Sequence, residues 1–291
     1  MFNYLVIHEK LTIFAKRMNT VMSMNKRHLL FVLLLIVSAV PSSWAGRKPS
    51  PEGNIINKVK EQPRRRVLFI GDSVTDGGWG RSGGLMTPSE KRNQYDQNHL
   101  FGHGYMEMCA AHFMSIYPER GYEFMNRGIS GNTLYDLQRR WQQDALNLQP
   151  DVVSILVGIN DADRFVRDTA HTEPNYIQWE QTYRQLLAEL RAVNPQVVII
   201  LGTPFVAKVG RVGSNENYPA LASIVSRLSQ IVRKIANEEH AVLVEYDLLF
   251  AHLQETAPRN DYWIWDGIHP TTAGHRRMAD LWIEKAEGIL L

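Results

Sequence analysis

The chain has 291 residues, 44% of them hydrophobic and 21% charged, with a formal net charge of +2, an ordinary balance for a globular protein. The basicity sits at the start: residues 1–45 carry Lys10, Lys16, Arg17, Lys26 and Arg27 against Glu9, which leaves −2 on the remainder. Nothing in that balance points to a nucleic acid or another polyanionic partner, and a single cysteine, Cys109, rules out an internal disulfide.

In chain order, the first readable segment is Lys26-Arg27, the apolar stretch Leu29–Val37, Pro41 and Ser43-Trp44-Ala45. These are the charged, apolar and small-x-small parts of a cleavable signal peptide covering residues 1–45. The apolar stretch is shorter than the ~20 residues a membrane span needs, so no stable anchor is expected after cleavage; a short anchoring helix is the competing reading. Met18, Met22 and Met24 all precede it, and a true start at Met24 would leave the same signal. The segment resembles a bacterial export signal, which implies a periplasmic or secreted protein. Residues 46–64, with Pro49, Pro51 and Pro63, read as a flexible leader. One domain is expected over residues 65–291.

From Arg65 onward, apolar runs alternate with amphipathic segments. Strands are predicted at Val67–Ile70, Tyr122–Asn126, Val152–Val157, Val197–Leu201 and Ala241–Tyr246. Near-continuous apolar runs suit strands buried on both faces. Helices are predicted at Tyr105–Ile116, Leu134–Leu148, Tyr176–Val193, Pro219–Ala236 and Thr271–Leu290, the last with Thr271 or Thr272 as its cap. Strand–helix alternation predicts an α/β fold, a parallel sheet between two helix layers. Cys109, with Met106, Met108 and Ala110 around it, reads as a buried helix position.

Ligands of such sheets bind beyond the carboxyl ends of the strands. Ser73, in Gly71-Asp72-Ser73, follows strand one; Ser130-Gly131-Asn132 follows strand two; Asn160, in Gly158-Ile159-Asn160-Asp161, follows strand three. All should meet at one edge. Ser73 is a candidate nucleophile, with helix capping as the competing reading; Asp72 reads as a turn-pinning residue. Asp266 and His269, three apart, can pair so that one imidazole nitrogen is oriented and the other is free to take the Ser73 proton. Candidate donors for the oxyanion of an acyl transition state are the backbone N–H groups of Ser73 and Gly131 and the side-chain amide of Asn160. For Gly131, a turn residue is an equally good reading. Trp79, Trp263 and Trp265 could stack on sugar rings or simply pack around the His–Asp loop. His99, His103, His112, His171, His240, His252 and His275 read as surface or packing residues.

Two patterns are decoys. Gly78-Trp79-Gly80-Arg81-Ser82-Gly83 matches G-x-G-x-x-G, yet it begins well past strand one and Trp79 would obstruct a pyrophosphate. Asp161 and Asp163 resemble the start of a calcium loop whose remainder is missing. No Cys/His cluster points to a metal.

The four blocks resemble those of the SGNH (GDSL) hydrolase family: Ser73 in Gly-Asp-Ser, Gly131 in Asn126-Arg127-Gly128-Ile129-Ser130-Gly131-Asn132-Thr133, Asn160 in Gly-Ile-Asn-Asp and His269 in Asp266-Gly267-Ile268-His269-Pro270. Val74 departs from the leucine of the family's name-motif. Longer phrases, with Arg140-Trp141, resemble the branch of acetylxylan esterases and related carbohydrate deacetylases. The resemblance implies a flavodoxin-like three-layer sandwich with a five-stranded parallel sheet and helices on both faces. It also implies no cofactor, a Ser73–His269–Asp266 triad and oxyanion donors at Ser73, Gly131 and Asn160. The expected function is an exported serine esterase removing acetyl groups from a glycan. A lysophospholipase or broad-specificity esterase is the first alternative and a non-catalytic glycan-binding module the second. The oligomeric state is not readable from the sequence.

Overall fold

The edge where the four blocks meet is built by strands that stop level with one another. The computed structural model describes residues 65–80, 86–95, 97–168 and 174–291; the signal and leader segments, Arg81–Gly83 of the glycine-rich decoy and His171 lie outside the described residues. Five parallel strands, β1 (Arg66–Gly71), β2 (Glu123–Gly128), β3 (Val152–Leu156), β4 (Val198–Gly202) and β5 (Val242–Val244), are ordered β2-β1-β3-β4-β5. This is the flavodoxin-like order, whose direction of winding reverses between β1 and β3. Register pairs Gly71 with both Gly128 and Leu156, and Leu156 with Gly202. Four chains therefore leave the sheet at one height, and residues two to four positions further on are neighbours by construction.

Nine helices are described: α1 (Ser73–Asp76), α2 (Tyr105–Ile116), α3 (Leu134–Asp144), α4 (Ile159–Arg167), α5 (Tyr176–Val193), α6 (Gly210–Gly213), α7 (Tyr218–Glu238), α8 (Tyr246–Glu255) and α9 (Thr272–Leu290). Alternation within β1 sends Leu68 and Ile70 into a core shared with α3, α4, α5 and α7, and Val67 and Phe69 into a second core shared with α2, α8 and α9. The result is the three-layer arrangement, with β3 buried along its whole length as a two-sided strand must be. None of the described helices is long and apolar enough to cross a membrane.

Helix α2 and helix α5 have the predicted limits, and Thr271 caps α9 by accepting from Gly274 N–H. Two expectations need correction, and one helix was not expected. The segment Leu134–Leu148 is not one helix: α3 ends at Asp144, a separate 3-10 turn spans Leu146–Leu148, and Gln149 turns left-handed (φ 45°) just before Pro150, where helix is disfavoured. The last strand is shorter than Ala241–Tyr246, because Tyr246 opens α8. Tyr246, Phe250 and Leu253 are buried at three-to-four spacing, a helical stripe hidden behind the apolar run of β5. Helix α4, directly after β3, also went unread; it places Asn160 in a first helical turn.

Candidate active site

Ser73 is the first residue of α1. Asp72 precedes it as N-cap, its Oδ1 accepting from Val74 N–H at 3.0 Å, so the tight exit from β1 is closed by the residue next to the hydroxyl. Ser73 Oγ lies 2.8 Å from His269 Nε2, and His269 Nδ1 lies 2.8 Å from Asp266 Oδ2. Asp266 Oδ1 accepts from the backbone N–H groups of Ile268 (3.0 Å) and His269 (2.8 Å). Burial by itself would raise the Asp266 carboxyl; the His269 N–H, the His269 ring and the Ile268 N–H outweigh burial and hold it below its ordinary range. An ionised Asp266 fixes the imidazole with its proton on Nδ1 and Nε2 turned to the serine.

The loop carrying this pair is braced by backbone contacts. Ala207 N–H donates to Gly267 O at 2.9 Å, Val212 N–H to Asp266 O at 3.0 Å, and Trp265 N–H to His269 O at 3.1 Å. Ile264 and Pro270 form an antiparallel bridge that closes the loop just before α9. Beside it, Arg211 on α6 brings Nη2 to 3.6 Å from Asp266 Oδ2 while remaining largely exposed.

Opposite the His–Asp pair stand the predicted donors. Gly131, three residues past β2, has φ +81°, and a Cβ there would stand 3.0 Å from Met86 Sδ; both demands favour glycine. Its N–H makes no hydrogen bond among the described residues, and neither does that of Ser73. Asn160 Nδ2 donates to Asn132 O at 3.0 Å, which orients the amide and leaves its second N–H for another acceptor. Ser73, Gly131, Asn160 and His269 together line a cavity of about 320 Å³. Its other walls are Ser130, Asp163, Val166, Arg167, Arg211, Val212, Asn215, Asn217, Tyr218, Leu221 and Ile268.

The tryptophans separate. Trp79 is 1% exposed, donates from Nε1 to Gly128 O at 2.8 Å and lies under the guanidinium groups of Arg92 and Arg127. It is a packing residue, and the expectation that it stacks on a sugar is corrected. Trp263 is half-buried against the α2, α8 and α9 core and does not line the cavity, so its role too is packing. Trp265 is 57% exposed, its ring 6.2 Å from the His269 ring and nearly parallel to it. His275 belongs to the packing residues, accepting at Nδ1 from Tyr105 N–H at 3.2 Å; burial, with His269 nearby, lowers it to about 4.

Sequence reasoning missed the far wall of the cavity, from Asp163 and Arg167 on α4 to Arg211, Asn215, Asn217 and Tyr218 after β4. Their only signal is position: residues following the carboxyl ends of β3 and β4 must border the same edge. Among the described residues no three His, Cys, Asp or Glu side chains converge as a metal site requires.

Residues 69–277 match the model of the GDSL-like lipase/acylhydrolase family. An acetylxylan esterase of Geobacillus stearothermophilus is 31% identical over 217 residues, 74% of this chain and 90% of that protein. The crystal structure of that organism's acetylxylan esterase Axe2 superposes with a TM-score of 0.61, covering 76% of this chain and 93% of the other at 31% identity. A Parabacteroides merdae structure named as a GDSL-like lipase gives a TM-score of 0.64 at 30% identity, covering 77% and 95%. The fold and the site define a carboxylic ester hydrolase. The chain belongs to the GDSL-like lipase/acylhydrolase family.

Proposed function

We propose that the chain is an exported carbohydrate acetylesterase working through an acetyl-serine intermediate. The observation that carries this reading is the continuous line Ser73–His269–Asp266 opening on a cavity edged by two unused backbone N–H groups. His269 Nε2 takes the Ser73 proton as Oγ bonds to the acetyl carbonyl carbon. The carbonyl electron pair moves to oxygen, where Ser73 N–H, Gly131 N–H and Asn160 Nδ2 stabilise the charge. When the tetrahedral species collapses, the C–O bond to the sugar breaks and the leaving oxygen takes the proton from His269. Water then adds to the acetyl carbon as His269 takes its proton; the bond from that carbon to Ser73 Oγ breaks, Oγ recovers the proton from His269, and acetate leaves.

Two features favour acetate and a polar alcohol over a lipid. The cavity's far wall sets the polar side chains of Asp163, Arg167, Arg211, Asn215 and Asn217 among Val166, Val212 and Leu221, which gives a sugar hydroxyl partners to bond, and the curated relative is named an acetylxylan esterase. The test is acetate release from a panel of acetylated polysaccharides, alongside 4-nitrophenyl esters of increasing chain length. Acetate should be preferred; faster cleavage of octanoate would replace this reading with a lipid esterase. Export rests on the sequence of residues 1–45, and N-terminal sequencing of the protein recovered outside the cytoplasm should begin at Gly46.

A further inference from the structure

Asp76, the last residue of α1, lies three positions after Ser73 and is buried outside the cavity. Both of its carboxylate oxygens are used. Oδ1 accepts from Arg92 Nη1 at 2.6 Å and from Gly78 N–H at 3.1 Å; Oδ2 accepts from Arg92 Nη2 at 2.9 Å and from Ser130 N–H at 2.8 Å. Ser130 immediately precedes Gly131. One carboxylate on the nucleophile's own helical turn thus grips the peptide beside the oxyanion donor.

The grip is reinforced from both directions. Asn126 Nδ2 donates to Thr75 O at 2.8 Å and to Asp76 O at 3.2 Å, while its Oδ1 accepts from Gly128 N–H at 2.8 Å. A Cβ on Gly128 would fall 2.3 Å from Asp76 N, so the two backbones touch. The Arg92 guanidinium lies 4.7 Å from the Trp79 ring centre, and Trp79 donates to Gly128 O. Beyond Gly131, Asn132 is held by Asn160 Nδ2 on its carbonyl and by Arg140 Nε on its side chain at 2.8 Å. Gly131 stands between two pinned neighbours.

A buried ion pair adds little net stability over an apolar pair of the same volume. What it supplies is direction, here four hydrogen bonds converging on one carboxylate. We propose that Asp76, clamped by Arg92, is a positioning residue that sets the separation between the Ser73 hydroxyl and the Gly131 N–H. This rests on the esterase reading above. The charge that develops on the substrate oxygen is stabilised only by donors already in place, so loosening Ser130 should cost turnover and leave ground-state binding alone.

The test removes the pair together, so that no buried charge is stranded. In Asp76→Ala/Arg92→Leu, kcat on 4-nitrophenyl acetate should fall ~30–100-fold, somewhat less than outright loss of a donor, with KM within about threefold. Affinity for an alkyl boronic acid, a tetrahedral mimic, should fall in step with kcat. Asp76→Asn/Arg92→Leu restores an acceptor for Ser130 N–H and should recover at least about tenfold. The proposal is overturned if the alanine variant folds and keeps kcat within threefold, if KM carries the loss, or if asparagine brings no recovery. Should the paired variants not fold, Arg92→Lys decides. It keeps the charge and loses the two-pronged grip, and it must show the same split at roughly tenfold; an unchanged kcat overturns the proposal. Wild type and Ser73→Ala run in the same series. An inert wild type ends the esterase reading and this inference with it, whereas active pair variants beside a dead Ser73→Ala end the inference alone.

Discussion

The two sides of the Ser73 hydroxyl are built in opposite ways. On the Gly131 side, charged groups are buried and each is bonded to the loop or to its neighbours: Asp76 with Arg92, and Asp144 with Arg127 and Arg140. On the His269 side one buried carboxylate, Asp266, holds N–H groups of its own loop, the rest of the bracing is backbone to backbone, and Arg211 and Trp265 nearby are open to solvent. Arg211 is 73% exposed in its side chain against 4% for Arg92. The chemistry proposed above accounts for the difference. Oxyanion donors act by not moving, since reorganisation during reaction would forfeit their effect. The imidazole must accept and return a proton twice per turnover, and it needs orientation more than immobility.

Substitutions on each side should therefore fail differently. The largest effect is expected for Asp266→Asn. Its carbonyl can still accept from the Ile268 and His269 N–H groups, but the amide cannot accept from the imidazole, which is left free to adopt the wrong tautomer. A kcat ~10³–10⁴-fold lower on an aryl acetate is expected, with little change in thermal midpoint; a loss under tenfold would remove Asp266 from the proton relay. Asn160→Ala, on the donor side, should lower kcat ~10²–10³-fold at nearly constant KM. Steady-state kinetics on both variants checks the contrast, and a KM-dominated loss in Asn160→Ala would make the amide a ground-state binder.

Trp265→Ala sharpens the comparison at the open side. If the exposed indole carries a sugar ring, KM for an acetylated oligosaccharide should rise ~3–10-fold more than KM for a small aryl acetate, matching an aromatic contact of about 1 kcal/mol. Equal changes on both substrates would assign Trp265 to packing against His269, its other neighbour.

The sequence made the strand ends and the four blocks legible because both are local. An apolar run followed by Gly-Asp-Ser or Gly-Ile-Asn-Asp needs no partner to be noticed, and level strand ends bring Ser73, Gly131 and Asn160 together without further information. Asp266 and His269 were legible as a pair three apart, though their approach to Ser73, across 196 positions, is purely tertiary. The misreadings have the same root. Trp79 reads as a sugar-stacking or loop-packing aromatic until Arg92, Arg127 and Gly128 are seen to enclose it. Tyr246 reads as strand because its helical stripe begins inside an apolar run. Asp76 carries no local signal, since its four hydrogen bonds come from three residues at positions 78, 92 and 130.

The smallest expected effect concerns Asp72, where the closed side meets the nucleophile. Burial first, then the charges of Asp161 and Asp76, raise its carboxyl from 3.8 to about 7 against the opposing Val74 N–H. Asp161 is raised by burial to about 6. A folded-state value above the unfolded one means the folded chain holds the proton more tightly. Its stabilising contribution is complete below about pH 4 and is lost as pH rises through about 7. Asp72→Asn keeps the oxygen that caps Val74 and removes the buried charge. It should leave the thermal midpoint almost unchanged near pH 4 and raise it at pH 8 by at least ~2–4 °C, the equivalent of about 1 kcal/mol in a domain of this size. Melting curves at the two pH values decide it. An equal shift at both would trace the effect to packing, and a fall at pH 8 would mean that the ionised carboxylate is a better cap than an amide, outweighing its burial.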